Sequence, residues 1–484
     1  MRDREPSEPA GSGRIDAPRV RVVVVNYERG DLTHRCLDSL EQSDWPREAL
    51  DIVVVDNASA DGSDRQAEGR TGVRLLRAPR NLGFGGAVNL ALAELGDTDY
   101  VALVNNDAVV SREWLGPLVD ALEHDARAGA ACPKILFAGR FATVGIETET
   151  HRRGRGDHRD VGVRVEGVRV DGRGCWDQAQ FASGFHGPEC ERARSFQWTA
   201  GAASLYLPLE AGSRGAEAEL VLSSDRPKTV TLESGAMRKQ VPVDRRPTWV
   251  SVPVVALGVP LLNSAGGVAL DHGYGSDRGY LEPDRGQYDA AEEVFGWSGC
   301  AVLLRRSYLD DVGVFDDSLF LYYEDFDLSW RGRARGWRYV YLPASTVRHA
   351  HAASASKDRW RAEGYKERNR LVVHTKNAPG SYLPGVYGNA LRGLGLHMVR
   401  DVGSRVLHGE RPHYGFVTMR ARALLGFAGA LPETLGARSR IRDAQTATDE
   451  ELLAWVAPRS EQPVAEGTCY VDSVGGRVSH RRRV

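Results

Sequence analysis

Three valine-rich runs each stop abruptly at side chains that carry oxygen, and their spacing constrains the chain more than any other feature. Arg19-Val-Arg-Val-Val-Val-Val-Asn26 ends in an amide, and Asp51-Ile-Val-Val-Val-Asp-Asn57 ends in an acid and an amide. Val101-Ala-Leu-Val-Asn-Asn-Asp107 ends in two amides and an acid before the apolar pattern resumes. Continuous β-branched runs read as strands buried on both faces, as parallel strands covered by helices are. Between the first two, Leu32, Cys36, Leu37 and Leu40 fall at helical spacing. A strand, a helix and a strand in that order call for a right-handed crossover, and polar residues at the strands' carboxyl ends lie where open α/β sheets bind ligands. Asn26 and Asp56 are therefore expected to face one crevice, with Asp107 a candidate metal or phosphate-side ligand. Asn105-Asn106-Asp107 is also good turn chemistry, and one carboxylate after a strand does not separate the two readings.

A third strand, 73–77, runs into Arg80-Asn-Leu-Gly-Phe-Gly-Gly-Ala-Val-Asn89 and an Ala/Leu-rich helix. Glycines 83, 85 and 86 ahead of a helix let backbone N–H groups approach an anion at its positive end. The order Gly-x-Gly-Gly is not the dinucleotide fingerprint, and a glycine loop that only packs closely has the same appearance. A helix near 113–122 and a short strand at 130–136 follow. From about 139 to 261 the α/β pattern stops. The charge run 152–160 reads as a solvated loop, and 218–223, 228–233, 239–243 and 248–255 alternate with period two between turn signals. That alternation predicts an inserted β-sandwich-like domain.

The charges nearly cancel, 63 basic against 65 acidic, so no global field selects nucleic acid as a partner. Of the basic residues 57 are arginine, which makes arginine clusters weak evidence. Six scattered cysteines form no Cys-x-x-Cys pair, which argues against zinc and for a reducing compartment. Residues 1–18 are rich in Pro, Gly and charge and read as a disordered tail; no signal-type or membrane-spanning apolar run is present. The expectation is a cytoplasmic protein, soluble or peripheral at the inner face of the cell membrane, of undetermined oligomeric state.

After the insertion, Gly296-Trp-Ser-Gly-Cys-Ala-Val-Leu-Leu-Arg305 reads as a strand leaving a glycine turn, with Trp297 either a platform for a sugar face or a core residue. Glu324, Asp325 and Asp327 cluster at a helix start, where acids are often only caps. A strand at 336–342 leads to Thr346-Val-Arg-His-Ala-His-Ala-Ala-Ser354, where a strand-end histidine can ligate a metal opposite Asp107 or serve structure alone. Segments 383–407 and 417–427 mix apolar residues with Arg and His, as in a helical hairpin that packs on the domain or rests on a membrane surface. The tail from 446 is expected to be mobile.

Taken together, Val22-Val-Val-Val-Asn-Tyr27, Val55-Asp-Asn-Ala-Ser-Ala-Asp-Gly-Ser63, Asn81-Leu-Gly-Phe-Gly-Gly-Ala-Val-Asn89 and Leu103-Val-Asn-Asn-Asp107 resemble the family 2 glycosyltransferases in order and spacing. The block Phe315-Asp316, Phe320 and Tyr323-Glu-Asp-Phe-Asp-Leu328 resembles that family's acceptor site. The resemblance implies a GT-A-like (Rossmann-like) α/β fold with a mixed sheet flanked by helices. It implies a nucleotide-sugar-binding half at 19–138, a β-rich insertion at 139–261, an acceptor-binding half at 262–378, C-terminal helices at 379–445 and a mobile tail at 446–484. Asn26, Asp56, Asn81, Gly83, Asn105, Asn106 and Asp107 would hold the nucleotide sugar, with Asn105-Asn106-Asp107 in place of the usual Asp-x-Asp. Asp107 and His349, or His351 instead of His349, would hold a divalent metal, Mn or Mg. Trp297, Glu324 and Asp325 would line the acceptor side, with Asp325 the general base of an inverting transfer. Tyr365-Lys-Glu-Arg-Asn-Arg-Leu371 resembles the basic helix that lies near the diphosphate, although an ordinary surface helix reads the same way. The implied donor is dTDP-rhamnose- or UDP-galactofuranose-like, and the implied acceptor a cell-wall or surface glycan, free or lipid-linked. A nucleotidyltransferase acting on sugar phosphates would need a basic glycine-rich loop near the N-terminus, of which Tyr27-Glu-Arg-Gly-Asp31 is a poor version. A non-catalytic carbohydrate-binding or scaffold protein would need no convergence of Asp107, Asp325 and His349.

Overall fold

Alternate side chains of the valine-rich strands enter two different helical layers, which is why the centres of the runs are continuously apolar. The computed structural model describes residues 17–154, 157–191, 194–210, 216–255, 257–350, 359–409 and 411–458. Strands β1 (Val20–Asn26), β2 (Leu50–Asp56), β3 (Val73–Arg77) and β4 (Tyr100–Val104) run parallel in the order β4-β1-β2-β3. Val22, Val24, Ile52 and Val54 pack with Cys36, Leu37 and Leu40 of helix α1 (Gly30–Glu41) and Leu115, Leu118 and Leu122 of α3 (Leu115–His124). Val23, Val53 and Val55 pack instead with Ala87, Val88 and Ala91 of α2 (Gly83–Leu92). Each fully buried side chain of this kind contributes about 1.5–3 kcal/mol.

The sheet continues beyond β4 through the antiparallel strand Ala301–Arg305 to β6 (Ala128–Phe137), and then to the long strand Arg338–His349, which is parallel to β6. The short strand β5 (Ala108–Val110) pairs with the end of that long strand, setting Ala108 opposite His349. The architecture is thus a mixed α/β sheet with helices on its flanks, and its second half is built from residues on both sides of the insertion.

The insertion is two antiparallel sheets around a shared core. Arg140–Thr148, Ala202–Leu209, Lys228–Ser234 and Met237–Val243 belong to one sheet; Arg164–Val170, Arg194–Trp198, Ala216–Ser223 and Thr248–Val254 belong to the other. Val144, Ile146, Leu205, Leu220 and Leu232 are fully buried between them. The charge run differs from the expected loop: His151–Gly154 and Asp157–Val161 pair as a two-stranded ribbon, where polar side chains coexist with strand geometry.

Helices α4 (Arg306–Val312), α5 (Glu324–Ala334) and α6 (Arg359–Asn377) complete the second half of the sheet domain. Beyond them, α7 (Leu383–His397), α8 (Ser404–Leu407) and α9 (Gly415–Ala444) form a helical layer in which α9 runs along α6. The mobile-tail reading is corrected for residues 446–458. Helix α10 (Asp449–Leu453) is closed by a Thr448–Glu451 capping box, Leu452 is buried, and Arg333 stacks on Trp455 at 4.0 Å. Residues 459–484, like 1–16, lie outside the described residues. No helix among the described residues is long and apolar enough to cross a membrane.

Candidate active site

Parallel pairing sets Asn26 level with Asp56 at the ends of β1 and β2. The Asn26 amide donates to Asp56 Oδ1 (2.8 Å), Ser59 Oγ (3.1 Å) and Ser63 Oγ (2.9 Å), and its oxygen accepts from Thr33 Oγ1 (2.6 Å). Fully buried and saturated, Asn26 orients Asp56. Asn81 Oδ1 accepts from Gly83 N–H (2.9 Å) and from Asn57 Nδ2 (3.1 Å), and Asn57 Oδ1 accepts from Leu82 N–H (2.8 Å). Asn57 is thus a linchpin of the loop that the residue-by-residue reading passed over.

The glycine loop packs. Gly83 has φ +78°, and a Cβ there would fall 2.0 Å from the carbonyl oxygen of Phe320; one on Gly85 would meet Phe315 at 3.0 Å. Its glycines bring helix α2 against the block that precedes Asp325, so Gly83 contributes close approach between the two halves.

Asn105-Asn106-Asp107 is both a turn and a polar strand end. Asn105 O accepts from Ala108 N–H (3.0 Å), and Asn106 Nδ2 donates to Thr33 Oγ1 (3.1 Å). Asp107 Oδ1 lies 3.0 Å from His349 Nε2, brought there by the pairing of β5 with the long strand. His349 Nδ1–H donates to Asn263 Oδ1 (2.9 Å), so Nε2 is the nitrogen turned toward Asp107. Burial acts to lower the His349 pKa, but Cys300 and Asp107 outweigh it and hold the imidazole well above its ordinary value. His351 lies outside the described residues.

Two cis ligands of an octahedral cation, each at about 2.1 Å, stand about 3 Å apart, which is the separation seen here. One carboxylate oxygen and one imidazole nitrogen, with the far ring nitrogen fixed by an amide, fit a divalent ion such as Mn or Mg that takes its remaining ligands from diphosphate and water. No group of three or more His, Cys, Asp or Glu side chains suited to a metal occurs among the described residues.

Asp325 stands in the first turn of α5. Gly299 N–H donates to Asp325 Oδ2 (2.9 Å) and Phe326 N–H to Oδ1 (2.7 Å). The next residue, Cys300, accepts from Asn105 N–H through its carbonyl (2.8 Å), so the 299–300 turn joins Asp325 to the Asp107 strand end. The turn before α5 is strained: Phe320, Tyr322 and Tyr323 have φ of +58°, +68° and +70°. Asn369, fully buried on α6, holds that turn by donating to the carbonyls of Leu319 (2.7 Å), Leu321 (3.0 Å) and Tyr322 (2.9 Å). Arg368 adds a bond to Ser318 O (2.9 Å). In this structure those two α6 residues thus serve the acceptor-side turn.

Beside Asp325 lies a cavity of about 170 Å³ whose walls include Tyr274, Tyr322, Glu324, Lys366, Arg370 and Arg420. Glu324 is buried with Oε2 lacking a hydrogen-bond partner, and burial, reinforced by the neighbouring Asp325 charge, pushes its carboxyl up to about 8. Trp297 is 2% exposed and meets Phe315 edge-on at 6.1 Å, and it also contributes to the wall of the cavity beside Asp325. Asn263 is another residue the sequence reading missed, because Leu-Asn-Ser re-entering the domain carries no local signal.

The model for glycosyl transferase family 2 matches residues 21–162. N-acetylglucosaminyl-diphospho-decaprenol L-rhamnosyltransferases of two Mycobacterium tuberculosis strains, CDC 1551/Oshkosh and ATCC 25618/H37Rv, are 26% identical over 349 residues, covering 70% of this chain and 78% of each relative. Among solved structures, GalNAc-T7 with UDP, GalNAc and Mn2+ aligns with a TM-score of 0.41 and 14% identity over 84% of this chain and 57% of that one. Mannosyltransferase PcManGT from Pyrobaculum calidifontis, in complex with GDP-Man and Mn2+, aligns with a TM-score of 0.36 and 15% identity over 91% and 86%. Residues 21–162 thus match a glycosyl transferase family 2 domain, and the chain is similar in sequence to rhamnosyltransferases.

Proposed function

We propose that this enzyme moves a sugar from a nucleoside diphosphate to a hydroxyl of a lipid-linked cell-wall or surface glycan, with inversion at the anomeric carbon. The observation that carries the reading is the meeting of Asp107, His349 and the 299–300 turn that holds Asp325. Similarity to a relative named as an L-rhamnosyltransferase acting on N-acetylglucosaminyl-diphospho-decaprenol supports a dTDP-rhamnose-like donor over a UDP-galactofuranose-like one. It also supports the lipid-linked acceptor.

In this mechanism Asp56, oriented by Asn26, and Asn81 hold the nucleotide across the ends of β1 and β2. Asp107 and His349 would hold a divalent cation, which when bound supplies positive charge to the departing diphosphate. Asp325 is fixed by two backbone N–H bonds and takes the proton of the acceptor hydroxyl. The acceptor oxygen then bonds to the anomeric carbon as the bond to the diphosphate breaks on the opposite face. Burial and the neighbouring Asp325 charge push the Glu324 carboxyl up to about 8, which suits it to donate a hydrogen bond to the acceptor.

The test is transfer by Asp325→Asn. Turnover should fall by about 10²–10⁴-fold while a nucleotide sugar still raises the melting temperature as in the wild type. Wild-type turnover in this variant removes Asp325 from the base role. Chelation tests the cation separately: transfer should vanish with EDTA and return with Mn or Mg, and activity surviving exhaustive chelation excludes a metal requirement.

A further inference from the structure

We propose that the edge formed by the end of α7, by α8 and by Tyr414 docks the enzyme on an anionic bilayer, beside the cavity that holds Asp325. Of the seventeen strongly exposed large apolar side chains among the described residues, six lie between 391 and 414: Leu391, Met398, Val399, Val406, Leu407 and Tyr414. Leu407 is 87% exposed and Val399 68%. Single exposed apolar residues are ordinary, but such a concentration in one short segment marks a surface that meets an apolar phase.

Charge selects the partner. Residues 391–414, the edge itself, contain Arg392, Arg400, Arg405 and Arg411 against Asp401 and Glu410, in a chain whose net charge is −2. Asp401 is already engaged by His397 Nδ1 at 2.7 Å and Arg400 Nε at 2.6 Å. Helical segments that combine exposed apolar residues with arginine lie in the interfacial plane of anionic membranes. The same excess of positive charge opposes the pairing of this face with itself in a second copy.

The edge is also continuous with the site. His397 stacks on Phe416 with ring centroids 4.7 Å apart, and the half-exposed Trp360 lies edge-on to the same ring at 4.9 Å. Phe416, with Met419 and Arg420, lines the cavity beside Asp325. A bilayer against Leu407 and Tyr414 would therefore lie next to the opening through which a lipid-linked glycan must reach the base. The docking surface extends the lipid-linked reading of the acceptor but fails independently of it.

The experiment is co-sedimentation of the full chain with phosphatidylcholine vesicles, with and without phosphatidylglycerol. The wild type should pellet with the phosphatidylglycerol vesicles, and high salt or the pair Val406→Asp and Leu407→Asp should reduce binding by about tenfold. Both positions are exposed, and an unchanged melting temperature in the variant isolates the surface effect. Equal vesicle binding by variant and wild type, or none by the wild type, overturns the proposal. So does a concentration-dependent dimer that the variant abolishes without any vesicle binding. Vesicle binding by an enzyme that transfers only to soluble glycans leaves the docking surface standing and removes the lipid-linked acceptor.

Discussion

Glu324 and Asp325 are adjacent acids whose surroundings separate them. Asp325 accepts two backbone N–H bonds, whereas Glu324 is buried with an oxygen left unpartnered. Burial first, and then the Asp325 charge, move the Glu324 carboxyl from 4.5 to about 8. A raised folded-state pKa means that the folded protein binds a proton more tightly than the unfolded chain. The stability this gives is fully present below 4.5 and is lost as pH rises through about 8. Glu324→Gln, which cannot ionise, should therefore melt close to the wild type near pH 4 and increasingly above it toward pH 9. A melting-temperature difference that stays constant across that range would show that Glu324 does not carry the proton.

At the scale of elements, the strained turn 320–323 and helix α6 belong together. Three carbonyl acceptors on one buried amide are an expensive arrangement for the chain to abandon, since Asn369→Ala removes the amide donor from all of them. The variant should lose about 2–3 kcal/mol of stability by chemical denaturation and lower turnover more than nucleotide-sugar affinity, because the turn sets Asp325. Unchanged turnover would confine Asn369 to stability. This clamp was not legible in the sequence. Tyr365–Leu371 could be read only as a basic helix, because the partners of Asn369 lie about 50 residues away and are backbone atoms that carry no sequence signal. The strands were legible, since β1, β2 and β4 are buried on both faces and show it in their continuous apolar centres. The turn and ligand readings of Asn105-Asn106-Asp107 turned out compatible, because backbone makes the turn while a side chain meets His349. The glycine loop stayed ambiguous because close packing and anion binding ask the same thing of a residue, namely no Cβ. Its Phe320 contact shows that packing alone already requires the glycine at 83. The ribbon at 151–161 was hidden because neither face buries a continuous apolar row.

The whole molecule has separate cores. The cluster around Val144, Leu205 and Leu220 draws every buried member from residues 142–254, whereas the two clusters flanking the large sheet draw none from that range. Contact between the units runs through a smaller patch in which Phe137 and Leu281 of the catalytic part meet Phe141 and Tyr206 of the insertion. Two cores of this size joined by one small patch should unfold in separate steps. Scanning calorimetry of the full chain is expected to resolve two transitions, and Leu205→Ala, at a fully buried position, should lower one by an amount equivalent to about 2–5 kcal/mol. Addition of dTDP-rhamnose should raise the other alone, because a ligand stabilises only the unit whose native state binds it. If both treatments move a single transition, the Phe137–Tyr206 patch couples the insertion to catalysis. If the nucleotide sugar raises only the transition that Leu205→Ala lowers, the donor site belongs to the insertion and the assignment to β1, β2 and β4 is wrong.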